Sequence, residues 1–150
     1  MNTKHRTVEQ VTLQGRCRCG GVEFDLMLPA SEMEPRACGC DYCAPNGSAY
    51  LGSPRCSLQV RVQHPGLLYA HNFGSRTADF MHCARCNTAM YVLSRIDGKL
   101  YALASANVVR DELPPARPVD LSGETLAQRL KRRQQCWIPE PEVIIHDQTT

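Results

Sequence analysis

No stretch of the chain approaches the roughly 18 consecutive apolar residues that a membrane-spanning helix requires, so a protein of that class is excluded. An excess of charge of one sign is also missing. Seventeen Lys and Arg against fifteen Asp and Glu leave a net +2, which gives no broad basic field of the kind that nucleic-acid binders carry. Residues 1–14 include Lys4, Arg6 and Glu9 and lack the apolar core of a secretory signal, which makes the cytoplasm the expected compartment. Neither an internal repeat nor a long low-complexity tract is present. Apolar residues are plentiful at 43%, too many for intrinsic disorder, and 150 residues suffice to bury a core without a staple made necessary by small size. Against this ordinary background stand nine cysteines. In a reducing compartment clustered thiols are metal ligands or catalytic groups rather than structural disulfides, and an odd count points the same way.

The chain reads as mainly β. Val22, Phe24, Leu26 and Leu28 alternate with Glu23, Asp25 and Met27, the period of a half-buried strand that ends at Pro29. Further strand-like runs cover residues 48–51, 58–63, 67–73, 77–83, 89–96 and 100–108. Asp97-Gly98 joins the last two as a hairpin turn, because both residues tolerate positive φ. After Val108 the texture changes, with Pro114, Pro115 and Pro118 in an extended stretch. A helix is then expected to about Gln135, with Ser122 as N-cap, Leu121 and Leu126 as the hydrophobic staple, and a narrow apolar face of Leu126 and Leu130. Such a helix packs on a sheet edge, anchored by Trp137-Ile138-Pro139. The organisation expected is a tail over residues 1–14, a zinc-binding β domain over 15–111, and a Pro-rich segment with a helical extension over 112–150 that packs on it.

Seven cysteines fall into three clusters: Cys17-Arg18-Cys19, then Cys38-Gly39-Cys40-Asp41-Tyr42-Cys43, then Cys83-Ala84-Arg85-Cys86. A CxC or CxxC turn can hand two thiolates to one zinc ion while the backbone reverses, and Gly20, Gly21 and Gly39 supply the necessary freedom. A closed zinc site takes four protein ligands, whereas a catalytic one usually takes three and an open position. Two partitions follow. In the first, Cys17 and Cys19 join Cys83 and Cys86 in a closed site, and Cys38, Cys40 and Cys43 hold a second zinc with one position open. In the second, Cys40 and Cys43 join Cys83 and Cys86 in a zinc ribbon, leaving Cys17, Cys19 and Cys38 over. Spacing alone does not decide between them, although stray exposed thiols invite oxidation.

The segment Gly15-Arg16-Cys17-Arg18-Cys19-Gly20-Gly21-Val22-Glu23-Phe24, the CxCxxC at residues 38–43, and Phe80-Met81-His82-Cys83-Ala84-Arg85-Cys86 together resemble the glutathione-dependent formaldehyde-activating enzyme family, which includes the centromere protein V domain. The likeness spans residues 15–108, with the three motifs in family order. It implies a β-tent fold of short antiparallel strands, a structural zinc on Cys17, Cys19, Cys83 and Cys86, and a catalytic zinc on Cys38, Cys40 and Cys43. It also implies a carbon–sulfur lyase that joins glutathione or a similar small thiol to formaldehyde or a similar small aldehyde. Two features depart from the family pattern: Ala44-Pro45-Asn46-Gly47 follows Cys43 where relatives often have a basic pair before a glycine, and the tail from Glu112 exceeds the core motif.

The remaining candidates have plainer readings. Cys56 and Cys136 are expected to fill space, as isolated cysteines usually do. His5, His64, His71 and His146 are expected to be structural or exposed, while Asp41, Tyr42 and His82 flank ligands without an assigned role. Arg129, Lys131, Arg132 and Arg133 are expected to form a solvated helix face. The alternative function is a zinc-stabilised binding module for protein or nucleic acid, without catalysis.

Overall fold

The computed structural model describes residues 9–38, 47–72, 77–121 and 123–146, and of Cys38 only the backbone. Strand alternation is the organising signal. In β2 (Val22–Pro29) the side chains of Val22, Phe24, Leu26 and Leu28 are fully buried on one face. Before it runs β1 (Gln10–Arg16), and after it come a single 3-10 turn and the short strands β3 (Arg36–Cys38) and β4 (Ala49–Leu51). The chain continues through β5 (Ser57–Val62), β6 (Leu68–Asn72), β7 (Asp79–Cys83), β8 (Ala89–Ile96) and β9 (Lys99–Ser105). Then follow β10 (Arg117–Val119), the helix α1 (Leu126–Cys136), β11 (Ile138–Pro139) and β12 (Glu142–Ile145).

Two sheets result. One has four strands in the order β1, β2, β5, β12; the other has eight, with β10, β3, β4, β9, β8, β7 and β6 in sequence and β11 paired to β9. Pairing is antiparallel except for β12 on β5 and β10 on β3, which are parallel. Phe24, Leu26, Val60 and Val62 from the first sheet form one core with Ala102 and Ala104 of β9. The alternate residues of β9, Tyr101 and Leu103, pack on the opposite face in a second cluster with Val92, Ile96 and Trp137. The central strand is thus covered on both faces, by a sheet on one side and by the helical segment on the other.

The expected mainly β fold with one C-terminal helix is the fold observed, and several boundaries are corrected. The run 100–108 ends as a strand at Ser105, where the Ser105 hydroxyl caps a 3-10 turn, Ala106–Val108. Asp97 and Gly98 do turn the β8–β9 hairpin with φ of 52° and 81°, pairing Ile96 with Lys99. The strands β1, β3, β10, β11 and β12 were not legible from alternation. Ser122 and Phe73 lie outside the described residues, and the N-cap is Thr125, whose hydroxyl accepts from Gln128 N at 3.1 Å while Gln128 returns a bond to Thr125 N at 2.9 Å. Leu126 is not a buried staple but 48% exposed.

The basic residues of α1 are likewise not all solvated. Arg132 makes two hydrogen bonds to Glu124, at 2.7 and 3.1 Å, and Arg129 lies 3.5 Å from the same carboxylate. Arg133 is buried, donates to Thr77 and Ser94 on the sheet, and sits 5.1 Å over the Trp137 ring. Burial holds its guanidinium down to about 10. Trp137 and Ile138 are buried beside it, so the expected anchor after the helix is present. No helix among the described residues is long and apolar enough to cross a membrane.

Candidate metal centre

The turn between β1 and β2 carries Cys17 and Cys19, and the turn between β7 and β8 carries Cys86, directly after Cys83 at the end of β7. Each cysteine pair is therefore a hairpin tip, one in each sheet. In the first turn Cys17 N bonds Val22 O at 3.0 Å and Gly20 N bonds Cys17 O at 3.0 Å, with Gly20 at φ +82°. A Cβ at Gly20 would also press on the Arg16 guanidinium, at 2.5 Å. In the second turn Cys83 N bonds Thr88 O at 2.9 Å and Asn87 N bonds Cys83 O at 2.7 Å, with Asn87 taking the positive φ of 59°. The tips are tied to each other by the Arg18 guanidinium, which donates to Cys86 O at 2.6 Å.

These turns bring the Sγ atoms of Cys17, Cys19, Cys83 and Cys86 within 4.8 Å of one another. Cys19 Sγ lies 3.6 Å from both Cys17 Sγ and Cys83 Sγ. A tetrahedron of zinc–sulfur bonds near 2.3 Å has edges of about 3.8 Å, so the donor set fits one zinc ion. The thiols are also prepared unequally. Burial pushes Cys83 up to about 12. Burial opposes ionisation of Cys86 too, yet hydrogen bonds from the Thr88 hydroxyl and from the backbone at Cys19 and Thr88 bring it down to about 5. The Arg85 side chain, whose Nε is 3.2 Å from Cys19 Sγ, lowers the Cys19 thiol, with the Gly21 backbone adding to it. Four thiolates this close repel one another, and only a bound cation lets all four ionise together.

Among the described residues, the cysteines grouped with Cys83 and Cys86 are Cys17 and Cys19; Cys40 and Cys43, the ribbon's other pair, lie outside them. Cys38 ends β3, while its side chain, Cys40, Cys43, Asp41 and Tyr42 lie outside the described residues. At Gly47 the backbone carbonyl accepts from Asn107 Nδ2 at 3.1 Å, and Asn107 Oδ1 accepts from Ala49 N at 2.9 Å.

Between the cysteine centre and β4 opens a cleft of about 780 Å³. Cys17, Arg18 and Thr88 form one wall, Ser48 and Tyr50 another, with His82 and Tyr91 also facing it. His82 is buried and stacks on Tyr69 at 5.1 Å, and burial lowers its pKa. Cys56 is buried with its thiol raised by burial, and Cys136 packs against the Trp137 cluster, both in keeping with space-filling roles. His64 and His71 lie apart from the cysteine centre, His71 exposed on β6. The arginines that line the cleft among the described residues, Arg16, Arg18 and Arg110, were missed by sequence reasoning: residues 16 and 110 are far apart in the chain and share no motif.

Among solved structures the chain is similar to the crystal structure of a Rhodobacter sphaeroides protein from a structural-genomics programme. The two share 22% identity, the match covers 69% of this chain and 99% of that one, and the TM-score is 0.50. At that identity the likeness concerns the fold alone. No curated protein matches the chain significantly. The model of the family described as glutathione-dependent formaldehyde-activating enzyme matches residues 12–119. That span contains both hairpin tips of the cysteine centre, the CxCxxC segment and the strands between them, and the chain belongs to the glutathione-dependent formaldehyde-activating enzyme family.

Proposed function

We propose that the protein is a zinc-dependent carbon–sulfur lyase that joins a small thiol, glutathione or a relative of it, to a small aldehyde such as formaldehyde. In the forward direction a carbon–sulfur bond forms between the thiol sulfur and the carbonyl carbon. The carbonyl π pair moves onto oxygen, and that oxygen takes up a proton equivalent to the one the thiol gave up. The product is an S-(hydroxyalkyl) thiol adduct, and the reverse reaction cleaves it.

The observation that carries this reading is the division of the cysteines. The tetrad at the hairpin tips is complete with four sulfurs, so Cys38, Cys40 and Cys43 are left for a second ion, one ligand short of a closed set. Zinc held there would lower the pKa of an incoming thiol, so that the nucleophilic thiolate exists at neutral pH. The chain's own contribution is to fix the surroundings. Asn107 pins the backbone at Gly47 and Ala49, where the CxCxxC segment returns to β4, and Ser105 Oγ accepts from Asn107 N at 3.3 Å to hold that asparagine in turn. The neighbouring cleft, flanked by Ser48 and Tyr50, has room for a tripeptide-sized thiol and remains open to water for proton exchange.

Metal analysis of anaerobically purified protein should give two zinc ions per chain, and Cys38→Ser should lose one of them while staying folded. Exchange between glutathione and its formaldehyde adduct, followed by NMR, should be faster with the wild type than without protein and should fall to the uncatalysed rate in Cys38→Ser. One zinc per chain, unchanged by Cys38→Ser, would sink the second site and favour a binding module. Two zincs with no acceleration would remove the named reaction.

A further inference from the structure

The cleft beside the cysteine centre carries positive charge that no carboxylate among the described residues of its lining balances. Among the described residues, Arg16, Arg18 and Arg110 line it, and no aspartate or glutamate does. Two of the three are committed elsewhere. Arg16 pairs with Glu23 at 3.3 Å, and Arg18 spans the two hairpin tips through the Cys86 carbonyl. Arg85 on Cys19 offsets one unit of the negative charge that four thiolates would bring, on the sulfur cluster itself.

Arg110 differs from both. Its backbone is fixed, with Arg110 N on Gln14 O at 3.2 Å and the preceding Val109 bridged to Gly15. Its side chain is exposed and has no ion pair or side-chain hydrogen bond among the described residues. It also borders a smaller hollow that contains Glu23 and Arg61, but Arg61 already occupies that acidic side through Asp25 at 2.8 Å and Glu23 at 3.5 Å. The main cleft thus extends from Ser48, just beyond the CxCxxC segment, to a guanidinium on a rigid base.

The geometry points to Arg110 as a specificity-determining residue that binds a carboxylate of the thiol substrate, so that the cleft selects thiols bearing a carboxylate remote from the sulfur. This rests on the thiol-adduct reading above. A guanidinium offers a planar fork of donors that matches a carboxylate two-to-two, which Lys cannot reproduce. One such charge-assisted contact in an open cleft corresponds to roughly a tenfold difference in affinity.

The test is calorimetric titration of zinc-loaded wild type, Arg110→Gln and Arg110→Lys with glutathione and with glutathione diethyl ester, in which both carboxylates are masked. Wild type should bind glutathione about tenfold more tightly than the diester, with a preference that shrinks as salt is raised. Arg110→Gln should bring glutathione to the level of the diester and leave diester binding unchanged, and Arg110→Lys should fall between. Zinc content and thermal midpoint equal to wild type would show that the variants are folded. If Arg110→Gln binds glutathione as tightly as wild type, the assignment of Arg110 is wrong while the thiol reading stands. If wild type binds neither probe, the thiol reading fails and this inference fails with it.

Discussion

Cys19 is the exposed member of the tetrad, and the groups around its sulfur determine how well it can hold a metal. Arg85 Nε and the Gly21 backbone favour its thiolate, while Val22 N donates to the buried Cys17 Sγ at 3.3 Å. Arg85→Ala should therefore weaken zinc binding by roughly tenfold without altering the ligand count, measured by competition with a chromogenic chelator. Unchanged affinity would mean that the arginine merely shields the site. At this scale the sequence was partly legible. Short spacing within each cluster made the local pairs visible, because two ligands on one turn are a local matter. Which pairs meet was open, because that depends on β2 and β7 lying in facing sheets. Arg110 was invisible for the same reason: its meaning comes from Gly15 and Val109 being bridged across 94 residues of chain.

The two cysteine turns are β-hairpin tips, whereas the helix is held to the sheet by Arg133 on Thr77 and Ser94 and braced at its own start by ion pairs. Before α1, Glu124 accepts from Arg132 and lies near Arg129, and Arg132 holds its carboxyl below the usual value of 4.5. A carboxylate with a lowered folded-state pKa stabilises the fold above its unfolded value and ceases to do so as pH falls through the folded one. Glu124→Gln should thus lower the thermal midpoint by about 1–3 °C at pH 7, with the difference vanishing under acid conditions below the folded pKa. A constant difference across that range, seen by circular dichroism melts, would assign the effect to packing instead. The helix start illustrates how local signals compete. Ser122 behind Leu121 suggested a cap, but Thr125-Leu126-Ala127-Gln128 is a capping box in its own right and prevails because both of its reciprocal bonds form. β2 and the β8–β9 hairpin were legible because alternation and an Asp-Gly turn are local. β1 was not, since Leu13 is its one large buried side chain, and β3, β10 and β11 are too short to show a period.

For the whole molecule, the cysteine tetrad would, with zinc bound, be a fastening between two sheets rather than a decoration on one. It joins a tip of the four-stranded sheet to a tip of the eight-stranded sheet, at the edge of the cleft between them. Cys83→Ser should accordingly cost at least about 3 kcal/mol and abolish cooperative melting if zinc is lost, whereas Cys56→Ser should leave zinc content untouched. Retained zinc and an unchanged midpoint in Cys83→Ser would show that the sheets hold together without the ion. The parallel strand β12 also has a consequence for the order in which the molecule can be assembled. Its hydrogen bonds to β5 become available only after residues 142–145 have been synthesised, some 80 residues later than β5 itself. Until then β5 is an open edge carrying Leu58, Val60 and Val62, and the nascent chain is protected from pairing with another copy only by the polar Gln59 and Arg61 on its other face.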